Sequence, residues 1–237
     1  MSILLHGDCI KELKGIDDDS IDLIFCDLPY GQTSCEWDNK LNLEELWKEI
    51  IRVKKLHTPI FFTTTTKYGV DLINSSPKKC PFRYDIVFCK SQKCGHLSSK
   101  NMPLRSHEMV YVFYEKLPFY DLSSHKHKFV KERDTAQKNG KIYEGDGNKK
   151  IMEGKYDPPL PNSLLEIKST RGKHSTEKPV ALMEWVLKYY SKEGDVVLDP
   201  TMGSGSTGVA CKNMNRNFIG IELDNEIYEV AVNRIED

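Results

Sequence analysis

A chain of 237 residues, 39% hydrophobic and 29% charged, is long enough for one large domain or two small ones and has an ordinary globular composition. Its net charge of -1 hides an asymmetry: residues 78–105 hold seven basic residues against one acidic, and residues 115–178 hold 14 against 10. The ends are therefore acidic and the middle basic, which suits either solvated loops or a face for a polyanion. The seven cysteines are irregularly spaced, with no Cys-x-x-Cys pair, which argues against a disulfide framework and for a reducing compartment. Cys80, Cys89, Cys94 and His96 fit no common zinc spacing, so no metal site is expected.

The opening MSILLHGDC is too short and too soon charged for a signal peptide, and no run reaches the roughly 18 apolar residues of a membrane span. A cytoplasmic protein is expected, or a nuclear one in a eukaryotic or viral setting. SILL then reads as a short strand and IKEL as a short helix. SIDLIFCD is a strand ending at Asp27, where Leu28, Pro29 and Tyr30 follow at once. LNLEELWKEIIRVKK carries a helical apolar stripe, PIFFTTT a β-branched and aromatic strand, and KYGVDLINSS a helix. RYDIVFCK and HEMVYVFYE read as two more strands. From 116 to 162 the chain turns rich in Lys, Gly, Asn and Asp, without a long periodic segment. Regularity returns with a helix in KPVALMEWVLKYYS, a strand in DVVLD, a helix in STGVACKNM, a strand in NFIGIELD and a last helix in NEIYEVAVNRIE. Alternating βα units predict a mostly parallel sheet with helices on both faces.

Residues 196–208, VVLDPTMGSGSTG, run a buried strand into a glycine turn that opens a helix. Glycines let a backbone approach a ligand, and a helix N-terminus presents free N–H groups. The next strand ends on Glu222, 19 residues past Gly203, an offset that suits binding of both ribose hydroxyls. The turn lacks the glycine spacing of pyrophosphate binders and the Gly-Lys-Ser/Thr of a P-loop. Asp199 just before the turn suits a cationic group such as an α-amino group, which points to an adenosyl amino acid.

Together DLPY at 27–30 and LDPTMGSGSTG at 198–208 resemble the β-class amino-methyltransferases of DNA, which use S-adenosylmethionine. HGDCIKEL with SIDLIFCD resembles that family's opening, RSHEMVYVFYE a later strand, and HSTEKPVALMEWVLKYY the segment that frames the cofactor's carboxylate. The resemblance leaves out only about 116–162. It implies a Rossmann-like doubly wound α/β fold in a circularly permuted motif order, the catalytic motif preceding the cofactor motif. The catalytic and cofactor-binding domain would comprise 1–115 and 163–237, with 116–162 an inserted loop region or small target-recognition segment.

The resemblance also implies roles. Asp27, Leu28, Pro29 and Tyr30 would carry catalysis. Asp8 and Cys9 would contact the cofactor's adenine, a helix N-cap being the competing role for Asp8. Ser175, Thr176 and Lys178 would lie near the methionine carboxylate. Asp199, Pro200, Thr201, Gly203, Ser204, Gly205, Ser206, Thr207, Glu222 and Leu223 would complete the cofactor site. Three departures stand out: Leu28 replaces the family's first proline, Thr201 an aromatic that packs on the cofactor, and Phe88 a tryptophan.

The chemistry wants these residue types. An exocyclic amine is a poor nucleophile because its lone pair is delocalised into the ring. Hydrogen bonds from its N–H groups to Asp27 and to a carbonyl of Leu28 or Pro29 would pull the nitrogen toward tetrahedral geometry. Pro29 fixes the turn, and Tyr30 offers a stacking face for a flipped base. The expected reaction is methylation of adenine N6 in double-stranded DNA, within a restriction-modification setting. Cytosine-N4 methylation remains an alternative, although that subgroup usually carries serine at the Asp27 position. A non-catalytic nucleic-acid-binding homologue is a further one. A homodimer or a partner subunit is left open, and no membrane partner is expected.

Overall fold

The computed structural model describes residues 1–29, 41–132, 152–167 and 177–236. Of the expected site residues, Tyr30, Ser175 and Thr176 lie outside these. Along the chain come β1 (Ser2–His6), α1 (Cys9–Leu13), β2 (Leu23–Cys26), α2 (Leu43–Val53), β3 (Ile60–Thr64), α3 (Thr66–Ser75), β4 (Phe82–Cys94), β5 (Arg105–Phe113), β6 (Lys126–Glu132), β7 (Met152–Asp157), β8 (Leu164–Glu166), α4 (Val180–Tyr190), β9 (Val196–Asp199), α5 (Ser206–Asn213), β10 (Asn217–Glu222) and α6 (Asn225–Glu236).

Among the described residues, eight strands form one sheet in the order β1-β10-β9-β2-β3-β5-β4-β8. Every neighbouring pair is parallel except β3–β5 and β5–β4, so β5 alone runs against the rest. The chain steps from β2 through α2 to β3 in one direction, and from β9 through α5 to β10 in the other. Right-handed crossovers in opposite directions put their helices on opposite faces. Accordingly α2 packs against α1 and α3, and α5 packs against α4 and α6. The result is the Rossmann-like α/β sheet read from the sequence.

Two adjacent phenylalanines on β3 show the layering. Side chains alternate along a strand, so Phe61 and Phe62 point to opposite faces. Phe62 meets Trp47 of α2 edge-on at 5.4 Å between ring centres, while Phe61 meets Tyr190 of α4 at 5.0 Å. Both phenylalanines are fully buried, each burial stabilising by roughly 1.5–3 kcal/mol. All four residues of β2 are buried too, as befits a central parallel strand covered on both sides.

Helix α2 shows why the pattern folds as it does. Asn42 accepts hydrogen bonds from the backbone N–H groups of Glu44 and Glu45, satisfying two otherwise unpaired donors. Leu46, Trp47, Ile50 and Val53 then form the buried stripe. Pro179 stands at the N-cap of α4.

The chain divides into two compact units, Met1–Tyr120 with Ser163–Asp237, and Asp121–Asn162. The smaller unit starts at Asp121, not at 116, because the residues between belong to the larger one. There, the His57 ring nitrogen donates to the Leu117 carbonyl at 2.8 Å, and the Tyr120 ring lies 5.0 Å from that of Tyr190. Within the smaller unit β6 and β7 pair antiparallel, with His127 opposite Tyr156. Neither strand was expected from the loop-rich composition, nor was the three-residue edge strand β8. No described helix is long and apolar enough to cross a membrane, and no group of three or more His, Cys, Asp or Glu among the described residues could hold a metal.

Candidate active site

Neighbouring strands β9 and β2 lead away in opposite directions, which makes the gap beyond their carboxyl ends the topological switch point. Ligands of open α/β sheets bind there. Asp27 follows β2 directly and Asp199 ends β9, so the two sequence motifs, far apart in the chain, meet at this point.

The turn after β2 is anchored by its own sequence. Leu28 is 2% exposed and belongs to the main hydrophobic core. Replacing a proline by leucine therefore adds an apolar peg under the turn while Asp27 stays at the surface of the cleft. The carboxylate of Asp27 is held at both oxygens. The hydroxyl of Thr63, on the adjacent strand β3, donates to Oδ1. The ammonium of Lys178 donates to Oδ2 at 2.6 Å. The Asp27 backbone carbonyl accepts from the Thr201 hydroxyl at 3.2 Å, which ties the first motif to the second.

Lys178 thus sits on the carboxylate of Asp27; the resemblance implied a place near the methionine carboxylate. It also lies 3.6 Å from Oε2 of Glu108, whose other oxygen is paired with Lys90. Burial works against the Lys178 ammonium, but the charges of Asp27 and Glu108 outweigh it and raise its pKa. Lys178 is firmly cationic in this setting.

The glycine loop is braced from within. Asp199 is 3% exposed; its Oδ1 accepts from the Thr201 N–H at 3.1 Å and its Oδ2 from the Thr207 hydroxyl at 2.6 Å. Burial pushes its pKa up to about 7, the two hydrogen bonds pull it down, and Asp27 and Glu222 add to the rise. Glu222 accepts from the Gly203 N–H at 3.0 Å and from the Asp224 N–H at 2.8 Å. Pro200 is buried beneath the turn. Gly203 has φ +53 and a Cβ there would meet nothing within 4 Å, so open space adjoins the loop where a ligand would approach. Gly205, at φ +82, faces the other way: a Cβ would come within 2.9 Å of Ile235 of α6.

A second brace comes from α6. Arg234 pairs with Glu177 and donates to the Ser204 carbonyl and hydroxyl, both at 3.1 Å, and to the Ser206 hydroxyl at 3.3 Å. Ser204 and Ser206 are thereby fixed by an arginine 28 residues or more away.

On the far side, Asp8 caps α1 by accepting from the Lys11 N–H at 3.0 Å. Cys9, expected as an adenine contact, is 6% exposed and packs in the core, and burial chiefly pushes its thiol up to about 12. The side chain of Leu223 is largely exposed and its carbonyl accepts from the His6 ring at 3.1 Å.

Thr63, Glu108 and Arg234 are the site residues that the sequence reading missed. Thr63 and Glu108 carry a weak signal, each a polar residue at the end of an apolar strand run. Arg234 carries none, since a basic residue in the last turn of a final helix is commonplace.

The donor set suits S-adenosylmethionine. Asp8, Asp27, Asp199 and Glu222 give the carboxyl edge an acidic lining for a sulfonium and an ammonium, and Gly203 opens the space beside them. Each oxygen of Glu222 keeps a second lone pair for a ribose hydroxyl.

Residues 21–233 match the DNA methylase family N6_N4_Mtase. The chain belongs to this family. It is 30% identical over 250 residues to the Type II methyltransferase M.HpaI of Haemophilus parainfluenzae, covering 98% of this chain and 74% of that protein. It is 28% identical over 250 residues to the DNA adenine methyltransferase YhdJ of Escherichia coli, covering 98% and 82%. Among solved structures, the PvuII DNA methyltransferase (cytosine-N4-specific) shares the fold with a TM-score of 0.69 at 17% identity, covering 100% of this chain and 86% of that one. The chain is therefore an S-adenosylmethionine-dependent DNA amino-methyltransferase.

Proposed function

We propose that this DNA methyltransferase transfers the methyl group of S-adenosylmethionine to the exocyclic N6 amine of an adenine turned out of double-stranded DNA. The observation that carries the reading is Asp27, a carboxylate held at the topological switch point by Thr63 on one oxygen and reached by the glycine loop through Thr201. When bound, S-adenosylmethionine supplies a methyl group on a sulfonium, electrophilic enough for direct in-line transfer.

Asp27 accepts one N–H of the target amine, and a carbonyl of Leu28 or Pro29 accepts the other. Leu28 and Pro29 hold that pair of acceptors rigid, so positioning supplies most of the rate. Asp199 and Glu222 hold the glycine loop in shape and offer their remaining lone pairs to the ammonium and the ribose. Tyr30 provides the face on which the flipped base stacks, and Ser175 and Thr176 hold the methionine carboxylate. Aspartate rather than serine at position 27 favours adenine over cytosine, as does the similarity to YhdJ.

Phosphate contacts fall to the basic middle of the chain, and base readout to the 121–162 unit. The protein works in the cytoplasm, where bacterial DNA and reducing conditions coincide, in the setting of a restriction-modification system.

The test is to incubate the protein with S-adenosylmethionine and unmethylated mixed-sequence duplex DNA, digest to nucleosides and read them by mass spectrometry. N6-methyladenine is expected. N4-methylcytosine would overturn the choice of base, and no methylation despite intact cofactor binding would overturn the reaction.

A further inference from the structure

Lys178 is paired with Asp27, Glu108 lies beside Lys178 and Lys90 pairs with Glu108, and the mechanism above uses none of these three charged groups. Lys178 occupies Oδ2 of Asp27 at 2.6 Å, while Thr63 holds Oδ1. An ammonium bonded to Asp27 draws charge from the carboxylate that must accept the target amine. It also repels the positive charge that grows on the amine nitrogen as the methyl arrives. Bound this way, Lys178 opposes the reaction.

A second acceptor waits beside it. Oε2 of Glu108 lies 3.6 Å from the Lys178 nitrogen, beyond hydrogen-bond reach, and it is buried without a hydrogen-bond partner. Glu108 is fixed from its other side, where Oε1 pairs with Lys90. The register explains the arrangement: Glu108 on β5 stands opposite Phe88 on β4, and Lys90, two residues on, shares that face. Because β5 is antiparallel, its beginning reaches the carboxyl edge where β2 and β3 end. A shift of about 1 Å carries the ammonium from one carboxylate to the other at normal charge-assisted distance. Lys178 is 12% exposed, so solvent offers it little alternative.

We propose that Lys178 is a two-position ammonium, held on Asp27 at rest and taken over by Glu108 as the target amine arrives, with Glu108 as the positioning residue that frees Asp27. This rests on the methyl-transfer reading above. No covalent bond is made or broken in the shift, and the cluster of two carboxylates and two ammonium groups stays neutral.

Glu108→Gln keeps the shape and removes the charge that attracts Lys178. Single-turnover methylation of unmethylated mixed-sequence duplex DNA, with labelled S-adenosylmethionine and rates normalised to cofactor-binding sites, compares wild type, Glu108→Gln, Lys178→Met and the double variant. Glu108→Gln should be slower than wild type by about tenfold or more, with cofactor affinity within about twofold. In the Lys178→Met background the same change should cost less than about twofold, since no ammonium remains to be moved. A wild-type rate in Glu108→Gln, or an equal loss in both backgrounds, overturns the proposal. Should Glu108→Gln fail to bind cofactor, the wild-type complex with S-adenosylhomocysteine and target DNA decides. Lys178 within about 3.2 Å of Glu108 and away from Asp27 supports the shift, and an unchanged contact with Asp27 refutes it. Absence of methylation by wild type would instead mark failure of the underlying function.

Discussion

Thr63 donates its hydroxyl to Oδ1 of Asp27 across the β2–β3 pair, from a position with no exposed surface. Thr63→Val keeps the shape and deletes the donor, so Oδ1 of Asp27 loses the Thr63 hydroxyl. The turnover number should fall by about tenfold or more, with a stability loss of about 1 kcal/mol and unchanged cofactor affinity. Thr63→Ser should recover most of the rate. Steady-state methylation beside a urea melt checks both, and equal rates for threonine and valine would remove Thr63 from the site.

Asp199 makes stability depend on pH in a definite direction. Its ordinary value of 3.8 is raised to about 7 in the folded protein, with burial the largest cause. Well below pH 3.8 both folded and unfolded chains hold the proton. As pH rises, the unfolded chain releases it first, so this group's contribution to stability declines until the folded pKa is passed. The decline between pH 4 and 7 is on the order of 2–4 kcal/mol. Asparagine mimics the protonated form and can still meet the Thr201 N–H and the Thr207 hydroxyl. Urea unfolding of Asp199→Asn should therefore lack that part of the wild-type decline. Parallel pH curves for the two proteins would show that Asp199 titrates normally.

These two residues also mark what the sequence could tell. Asp199 stood out because a strand, a glycine turn and a helix surround it, all local patterns. Asp27 stood out for the same reason, as an acid ending an apolar run before a proline. Thr63 and Glu108 reach the site only through strand order, and periodicity says nothing about which strands become neighbours. Lys178 was visible as part of a motif, yet its partner on a distant strand was not. Strands β6 (KHKFVKE) and β7 (MEGKYD) carry few apolar residues and no alternation to set against their lysine and glycine, and β8 is too short for any period to register.

The two turn glycines should fail differently when replaced by alanine. At Gly205 the backbone has φ +82 and the new Cβ would press on Ile235 at 2.9 Å and Ala231 at 3.2 Å. Strain and overpacking together should cost about 2–4 kcal/mol. At Gly203, φ +53 brings strain alone, about 1 kcal/mol, but the methyl enters the open space beside the loop. Gly203→Ala should stay folded and bind S-adenosylmethionine at least about tenfold more weakly, whereas Gly205→Ala should chiefly lower the melting temperature. Calorimetry of binding and of unfolding separates the two, and unaltered affinity in Gly203→Ala would place the cofactor elsewhere.

The lysines of the 121–162 unit offer a test of where DNA is gripped. Lys126 and Lys128 on β6 and Lys155 on β7 are exposed. Lys128 pairs with Asp157 at 2.5 Å, but side chains 64% and 61% exposed gain little from such a pair, so its loss should leave folding intact. Each lysine that neutralises a phosphate contributes about 0.9 to the slope of log affinity against log salt. Replacing all three by alanine should flatten that slope by about 2–3 and weaken binding to every duplex alike, without changing the base that is methylated. Fluorescence anisotropy with labelled duplex DNA across a salt series measures it. A slope equal to wild type would shift the grip to the exposed Lys93, Lys100 and Arg105 of the preceding basic stretch, and leave the β6–β7 pair with readout alone.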